Sequence, residues 1–185
     1  ASRDPPCQVP RAVVGKRLLT AALAAALVAL PAQAQTVVIV RHAEKAAPSG
    51  DVDLSAAGKA RAQALAQALA GAKVRMVWAT PLKRTGQTAG PTADAAGWTV
   101  AAIGFEGGDV AHAQRLADEA RKAGPGETVL IVGHSNTVAQ IARALGDPAP
   151  VAPTDCEYDK MTILELGGPA TRAIHTRYGA PTEPC

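Results

Sequence analysis

The fold prediction depends on one stretch, Val37-Val38-Ile39-Val40-Arg41-His42-Ala43-Glu44-Lys45. Four β-branched apolar residues run directly into an arginine and a histidine. An uninterrupted apolar run of this kind predicts a strand that is buried on both faces, as in a parallel sheet. Because open α/β sheets bind their ligands beyond the carboxyl ends of the strands, Arg41 and His42 lie where a ligand is expected.

A second stretch has the same design, because Val129-Leu130-Ile131-Val132 leads through Gly133 into His134. A helix is predicted to follow, from Asn136 to Leu145. Two histidines at strand ends, one of them beside an arginine, indicate a pocket for an anion. We interpret this pocket as a phosphate site with a histidine nucleophile.

Predicted strands and helices alternate through most of the chain, which favours an α/β layered fold with a mainly parallel sheet. The last two strands are predicted to form a hairpin around a Gly-Gly-Pro turn. The predicted strands are 36–40, 74–78, 98–103, 129–132, 161–166 and 171–177, and the predicted helices begin at a Ser55 cap, at Pro81 in a first turn, at an Asp109 cap and at Asn136.

The first 34 residues have the features of an upstream region followed by a secretory signal peptide. A basic pair precedes the apolar run 18–30, and a small-residue A-x-A pattern ends at Ala34. The apolar run is too short to span a bilayer comfortably. We therefore expect cleavage after Ala34, no stable membrane anchor afterwards, a single domain over 35–185, and a periplasmic or secreted protein.

The charge balance gives no support to a nucleic-acid partner. The whole chain has a net charge of +3, and residues 1–34 account for all of it. The remaining residues have 15 basic and 15 acidic side chains and show no basic stripe with interleaved aromatics.

Cys156 and Cys185 are the two cysteines of the predicted domain. In an exported protein they are expected to form a disulfide, and closing that loop would stabilise the fold by roughly 3–4 kcal/mol. Two free thiols are the alternative. Because no Cys/His spacing suggests a metal site, we expect neither a metal nor another cofactor.

Phosphoryl transfer to a histidine requires a neutral ring, fixed cationic donors around the phosphoryl oxygens and a proton for the leaving oxygen. The candidates are His42 as nucleophile, Arg41 and Arg84 as clamps, and His134 as a further donor. Each of them follows a predicted strand or begins a helix after one. His112 and His175, the remaining histidines, are expected to be structural or exposed.

Three motifs resemble those of the histidine phosphatase superfamily, the phosphoglycerate-mutase-like proteins. Arg41-His42-Ala43-Glu44 is similar to its Arg-His-Gly motif, and Gly133-His134 to its second histidine motif. Thr80-Pro81-Leu82-Lys83-Arg84-Thr85-Gly86-Gln87-Thr88-Ala89 resembles its second arginine motif. The order and spacing agree over 36–178, and Leu54-Ser55-x-x-Gly58 also resembles a helix start of the family.

The resemblance implies a three-layer sandwich whose central sheet carries helices on both faces. It also implies a phosphohistidine on His42, a phosphate pocket formed by Arg41, Arg84 and His134, and no metal. Arg84 and His134 are separated by 50 positions, which leaves no room for the large cap domain of acid phosphatases.

Two features depart from the family pattern. Ala43 replaces the motif glycine, and its methyl group is expected to crowd the backbone near the phosphate. The general acid is not obvious: Glu106 fits the spacing, Glu44 is the alternative, and the acidic cluster of Glu157 and Asp159 is a third candidate. Asp109 is interpreted as a helix cap.

The sequence thus predicts an exported phosphomonoester phosphatase with an open site, acting on a small or macromolecular substrate. A non-catalytic module that binds phosphate or a phosphosugar is the alternative, and a phosphomutase is a weaker one. Activity is expected to fall below a histidine pKa around ~6.5, shifted by the neighbours of His42.

Overall fold

A computed structural model describes residues 34–185 of the chain. The predicted upstream region and signal peptide therefore lie outside the described residues, except for Ala34. Within 34–185, no helix is long and apolar enough to cross a membrane.

Six strands form a single mixed sheet in the order β3-β2-β4-β1-β5-β6. The four strands from β3 to β1 are parallel, whereas β5 is antiparallel to β1 and β6 is antiparallel to β5. The elements are β1 Gln35–Arg41, α1 Ala56–Ala68, β2 Val74–Ala79, α2 Lys83–Ala96, β3 Ala101–Ala102, α3 Gly108–Ala120, β4 Thr128–Gly133, α4 Val138–Ala144, β5 Lys160–Leu166 and β6 Arg172–Arg177.

Strand β1 lies between two helical layers. Val37 and Ile39 pack in one hydrophobic cluster with residues of α3 and α4, and Val38 and Val40 pack in a second cluster with residues of α1 and α2. All four side chains are at most 2 % exposed, and burying each one fully stabilises the fold by about 1.5–3 kcal/mol. The predicted three-layer α/β fold, with helices on both faces of a mainly parallel sheet, is confirmed.

The strand register brings three chain segments to the same edge of the sheet. Arg41 at the end of β1 pairs with Gly133 at the end of β4, and Ala79 at the end of β2 pairs with Val132 of β4. Since these strands are parallel, the residues that follow them meet at the carboxyl edge. That edge therefore receives His42, Thr80 and His134.

The predicted Ser55 cap is confirmed, because the Ser55 hydroxyl accepts a hydrogen bond from the amide of Gly58 at 3.0 Å. Three other helix starts were predicted wrongly. Helix α4 begins at Val138, two residues after the predicted Asn136. Helix α2 begins at Lys83, so Pro81 precedes it instead of occupying its first turn. Helix α3 begins at Gly108 after Gly107, whose φ of 80° no side chain favours, and Asp109 lies in the first turn without capping it.

Strand β3 is shorter than the predicted span 98–103. It pairs with β2 only through Ala101 and Ala102, opposite Trp78 and Ala79. Because β2 ends at Ala79, which pairs with Ala102, strand pairing cannot continue far beyond Ala102.

Cys156 and Cys185 form a disulfide, which confirms the predicted pairing. The bond ties the end of the chain to the irregular segment that precedes β5.

Gly58 permits the close packing of α1 on the loop after β1. A Cβ atom at this position would overlap the carbonyl oxygen of Glu44 and lie 3.0 Å from the Glu44 amide nitrogen. The clash is with backbone, which cannot rotate away as a side chain can. Gly58 therefore fixes the path of the chain immediately after His42.

We expect Gly58→Ala to lower the free energy of unfolding by about 1–3 kcal/mol, because the added methyl displaces the Glu44 backbone. Gly86→Ala is the matched control, since it lies in α2 with nothing within 4 Å of the added methyl. That control should stabilise the protein by up to ~1 kcal/mol through helix propensity. Urea unfolding of both variants measures the difference, and equal stabilities would contradict the assigned packing.

Candidate active site

His42 is held at the end of β1 by hydrogen bonds on both its backbone and its ring. Its amide donates to the carbonyl of Gly133 at 2.9 Å, which extends the β1–β4 ladder by one bond. The ring Nδ1 lies 2.8 Å from the carbonyl oxygen of Ala43. Because a carbonyl only accepts, Nδ1 carries the ring proton and the lone pair is on Nε2. The fold thus presents His42 in the tautomer that a nucleophile requires.

His134 lies beside His42 at the end of β4. The centroids of the two rings are 5.2 Å apart, with 64° between the ring planes. Its amide donates to the hydroxyl of Thr137 at 3.0 Å, and its Nε2 lies 3.0 Å from the hydroxyl of Thr80. When the Thr80 hydroxyl donates to Nε2 instead of to the Thr85 hydroxyl at 2.8 Å, the ring proton of His134 is on Nδ1 and is available to an oxygen of a substrate.

Two arginines bring positive charge to the same place. Arg41 is 5 % exposed, and its guanidinium carbon lies 4.2 Å from the centroid of the Tyr158 ring. Arg84 is the second residue of α2, near the N-terminus where the helix dipole is positive. Within the described residues, Nε of each arginine is buried without a hydrogen-bond partner. Such donors favour an anion as ligand.

All four predicted phosphate-site residues line one cavity of ≈ 690 Å³. The structure therefore brings Arg41, His42, Arg84 and His134 together, although they span 93 positions of the chain. Among residues 34–185, no group of three or more His, Cys, Asp and Glu side chains could hold a metal ion.

Ala43 packs away from the cavity. Its side chain is fully buried in a small cluster with Leu54 and Ala62. Its amide donates to the hydroxyl of Thr88 at 2.9 Å, and the same hydroxyl donates to the carbonyl of Arg84 at 2.7 Å. The expected crowding near the phosphate is therefore wrong, and Thr88 instead connects the loop after His42 to the helix that carries Arg84.

The two preferred candidates for the general acid do not reach the cavity. The side chain of Glu106 is 83 % exposed and lies 3.5 Å from Arg115. Glu44 accepts hydrogen bonds from Nε and Nη2 of Arg61, the shortest at 2.7 Å. Glu44 therefore orients Arg61.

The third candidate, the cluster of Glu157 and Asp159, is also engaged in ion pairs. Glu157 pairs with Lys160 at 3.1 Å, and Asp159 pairs with Arg177 at 2.8 Å. The hydrogen bond from the amide of Thr154 holds the pKa of Glu157 below its usual value, so this carboxylate is ionised. Both side chains are at most 2 % exposed.

Two other aspartates line the cavity. Oδ2 of Asp109 accepts a hydrogen bond from the Asn136 side chain at 2.7 Å. Oδ1 of Asp155 accepts one from the Ser135 hydroxyl at 3.0 Å and lies 3.9 Å from Nη2 of Arg41. Sequence reasoning missed Asp155 and took Asp109 for a cap. The available signal for Asp109 was its position near a helix start, a short distance after a strand.

The other two histidines lie outside the cavity, as expected. His112 is fully buried in α3 and donates through Nδ1 to the carbonyl of Gly104 at 2.8 Å. His175 is on β6, with Nε2 at 3.3 Å from Asp147.

The site disfavours protonation of both cavity histidines. Burial is the main cause that lowers the pKa of His42 to about 4; the charges of Arg41 and Arg84 add to it, while the hydrogen bond to Ala43 opposes it. Burial likewise lowers the pKa of His134 to about 3, with contributions from His42 and Arg84. Both rings are therefore neutral near pH 7, and the positive charge of the site belongs to the arginines.

Comparisons with known proteins agree with this fold and this motif order. Residues 37–103 match the family model described as "Histidine phosphatase superfamily (branch 1)". No curated protein matches the sequence at a significant level.

Solved structures share the fold at low sequence identity. A mycobacterial glucosyl-3-phosphoglycerate phosphatase is 18 % identical with a TM-score of 0.60, and the match covers 80 % of this chain and 100 % of that one. The putative phosphohistidine phosphatase SixA from Agrobacterium tumefaciens is 20 % identical with a TM-score of 0.53, over 82 % of this chain and 99 % of that one. A protein histidine phosphatase SixA solved with tungstate is 21 % identical with a TM-score of 0.57, over 77 % and 96 %.

The residues that match the histidine phosphatase model include the first two motifs of the predicted resemblance, at Arg41-His42 and at Arg84.

We expect the ring resonances of His42 and His134 to titrate with midpoints near about 4 and about 3, not near ~6.5. Two-dimensional ¹H–¹³C NMR from pH 7 to pH 3 measures this, with His42→Asn and His134→Asn as assignment controls. The unfolded chain binds more protons than the fold between the unfolded and folded pKa values. The free energy of unfolding should therefore decrease as the pH is lowered through that window, and circular dichroism on the same samples follows it. A His42 midpoint between pH 6 and 7 in folded protein would contradict the assigned environment.

Proposed function

We propose that the protein is a phosphomonoester phosphatase that works through a phosphohistidine on His42. One observation carries the proposal: His42 donates from Nδ1 to Ala43, so its Nε2 lone pair is free in a cavity that Arg41, Arg84 and His134 also line. A neutral imidazole fixed in one tautomer beside two guanidiniums suits attack on a phosphoryl group and suits little else.

The two arginines and His134 hold the phosphoryl oxygens. Each arginine has a buried Nε without a partner in the described chain, and charge-assisted bonds to phosphate are the strongest that such a donor makes. Proteins that share this fold support an oxyanion site, because SixA was solved with tungstate and the mycobacterial phosphatase with VO3 and with inorganic phosphate.

The reaction consists of two displacements. Nε2 of His42 forms a bond to phosphorus while the bond from phosphorus to the leaving oxygen breaks, and that oxygen takes a proton from a carboxylic acid. Water then attacks the phosphohistidine and gives a proton to the same carboxylate, releasing phosphate and restoring His42. In total, one phosphomonoester and one water give one alcohol and one phosphate, and no metal takes part.

Asp109 is the proton donor in this proposal. It lines the cavity, and within residues 34–185 its one side-chain hydrogen bond is accepted by Oδ2 from the Asn136 amide. Asp155 also lines the cavity, but it faces Arg41 and Ser135 and so belongs to the arginine's surroundings. Glu106 and Glu44 contact Arg115 and Arg61 instead.

The cavity has room for a leaving group larger than phosphate. Its volume of ≈ 690 Å³ extends past the histidines to Phe105, Tyr158 and Leu82. These side chains offer apolar contact to the alcohol part of a substrate, and Lys45 adds a charge on the wall.

The site of action proposed for the protein is the periplasm or the extracellular space. The disulfide supports this, because such bonds persist in oxidising compartments. The basic, apolar and small-residue segments of 1–34 support it independently.

We expect the protein to hydrolyse p-nitrophenyl phosphate, and His42→Ala to lower kcat at least about 10³-fold by removing the nucleophile. His175→Gln is the matched control, since it removes an imidazole on β6 outside the cavity and should retain activity. EDTA should leave the rate unchanged. If wild type and His42→Ala are equally inert while both bind vanadate, the protein is a phosphate-binding module.

We expect Asp109→Asn to lower kcat for an alkyl phosphate by about 10²–10⁴-fold, the usual contribution of a general acid. The loss with p-nitrophenyl phosphate should be much smaller, because its leaving group departs without a proton. Glu106→Gln and Asp155→Asn are the matched controls, and neither should show this dependence on the leaving group. If Glu106→Gln shows the dependence and Asp109→Asn does not, the assignment of the acid is wrong.

A further inference from the structure

Arg41 is held in place by one segment far away in sequence. Its Nη1 donates to the carbonyl oxygens of Thr154, Asp155 and Glu157, at 2.8, 2.8 and 3.0 Å. The ring of Tyr158 lies under the same guanidinium. We call residues 154–158 the clamp loop. Because Nη1 takes all three carbonyls, Nε remains for the phosphoryl group, together with Nη2, which lies 3.9 Å from the exposed Asp155 carboxylate.

The clamp loop belongs to the irregular segment before β5. Segments of this kind are mobile unless contacts with the rest of the protein restrain them. Inside the loop, the amide of Thr154 donates to the carboxylate of Glu157 at 2.9 Å, and the Glu157 amide donates back to the Thr154 carbonyl at 3.1 Å. These bonds close a turn. Two side chains outside the loop also contact it: the Ser135 hydroxyl donates to Asp155 at 3.0 Å, and Nη2 of Arg177 lies 3.5 Å from Glu157.

The end of the chain ties the clamp loop at two points. Cys156, in the middle of the loop, is bonded to Cys185. The amide of Tyr158 donates to the hydroxyl of Thr182 at 3.1 Å, and that hydroxyl donates to Asp159 at 2.7 Å. The disulfide and Thr182 therefore act on the residues whose carbonyls and aromatic ring surround Arg41.

We propose that the Cys156–Cys185 disulfide and Thr182 are positioning groups for the active site, which keep the Arg41 guanidinium aimed at the phosphoryl group through the clamp loop. The proposal rests on the proposed function, in which Arg41 binds that group. A guanidinium binds an oxyanion well only when its planar fork is fixed. Releasing the loop lets the guanidinium turn, so oxyanion affinity falls while the rest of the pocket is intact.

Tungstate affinity and phosphatase kinetics of the full chain test the proposal. Tris(2-carboxyethyl)phosphine reduces the disulfide to two thiols and is itself oxidised to the phosphine oxide, and Cys185→Ser releases the loop without a reductant. In both cases we expect the tungstate Kd and the KM for p-nitrophenyl phosphate to rise about fivefold or more, with circular dichroism showing folded protein. Cys185→Ser treated with reductant is the control and should show no further change. An unchanged Kd in folded, reduced protein would overturn the proposal.

Side-chain NMR separates a positioning role from general loosening. Reduction should broaden or shift the Nε–H resonance of Arg41 and leave that of Arg84 unchanged. The reason is that, in the described chain, the clamp loop hydrogen-bonds to Arg41 and not to Arg84. Equal changes in both signals, or none in Arg41, would overturn the positioning role. Thr182→Val keeps the disulfide and serves as a second variant if reduced protein unfolds; its Kd should rise by a smaller factor, and an unchanged Kd would again overturn the proposal.

The failure of this inference and the failure of the proposed function give different results. If oxidised wild type neither hydrolyses p-nitrophenyl phosphate nor binds tungstate, the proposed function falls, and the Arg41 resonance still reports whether the disulfide positions the side chain. If oxidised wild type is active and reduction changes neither Kd nor the Arg41 resonance, only the inference falls.

Discussion

The parallel pairing of β1 with β4 is the constraint on which the site depends. Its register places Arg41 opposite Gly133, and the amide of His42 adds one more bond to the carbonyl of Gly133. A slip of one residue would turn every side chain of β1 to the opposite face and would move Thr36 or Arg41 into the buried part of the strand, so the extent of the apolar run from Val37 to Val40 also fixes where His42 emerges. The same packing that stabilises the core therefore determines the distance between the two imidazoles.

The site concentrates positive charge on its arginines and keeps both histidines unprotonated near pH 7. Burial lowers the pKa of Arg41 as well as the pKa values of both histidines, yet a guanidinium remains ionised in proteins. Three carbonyl oxygens and an aromatic face offset the penalty of burying Arg41. The result is a fixed cation beside two neutral imidazoles, an arrangement that favours an anionic ligand.

The sequence predicted the layers of the fold and the four residues of the pocket because strong local signals carried both. Continuous apolar runs define β1 and β4, and a polar residue after such a run must lie at a strand end. The carboxylates were harder, because their positions depend on loops: Glu106 and Asp109 are three residues apart, yet Asp109 lines the cavity and Glu106 does not. The three carbonyl oxygens that accept hydrogen bonds from Arg41 could not be predicted. Every residue has a backbone carbonyl, so the sequence does not indicate which of them bind a side chain.

The two outer strands of the sheet also affect whether copies of the protein can pair through their strand edges. An unpaired strand edge is a template on which another chain can add. At one side this edge is β3, which is two residues long. At the other side it is β6, which carries Arg172, His175 and Arg177 and is mostly exposed. One edge is too short to recruit a neighbouring strand and the other carries two arginines, so both edges disfavour edge-to-edge pairing between copies of the protein.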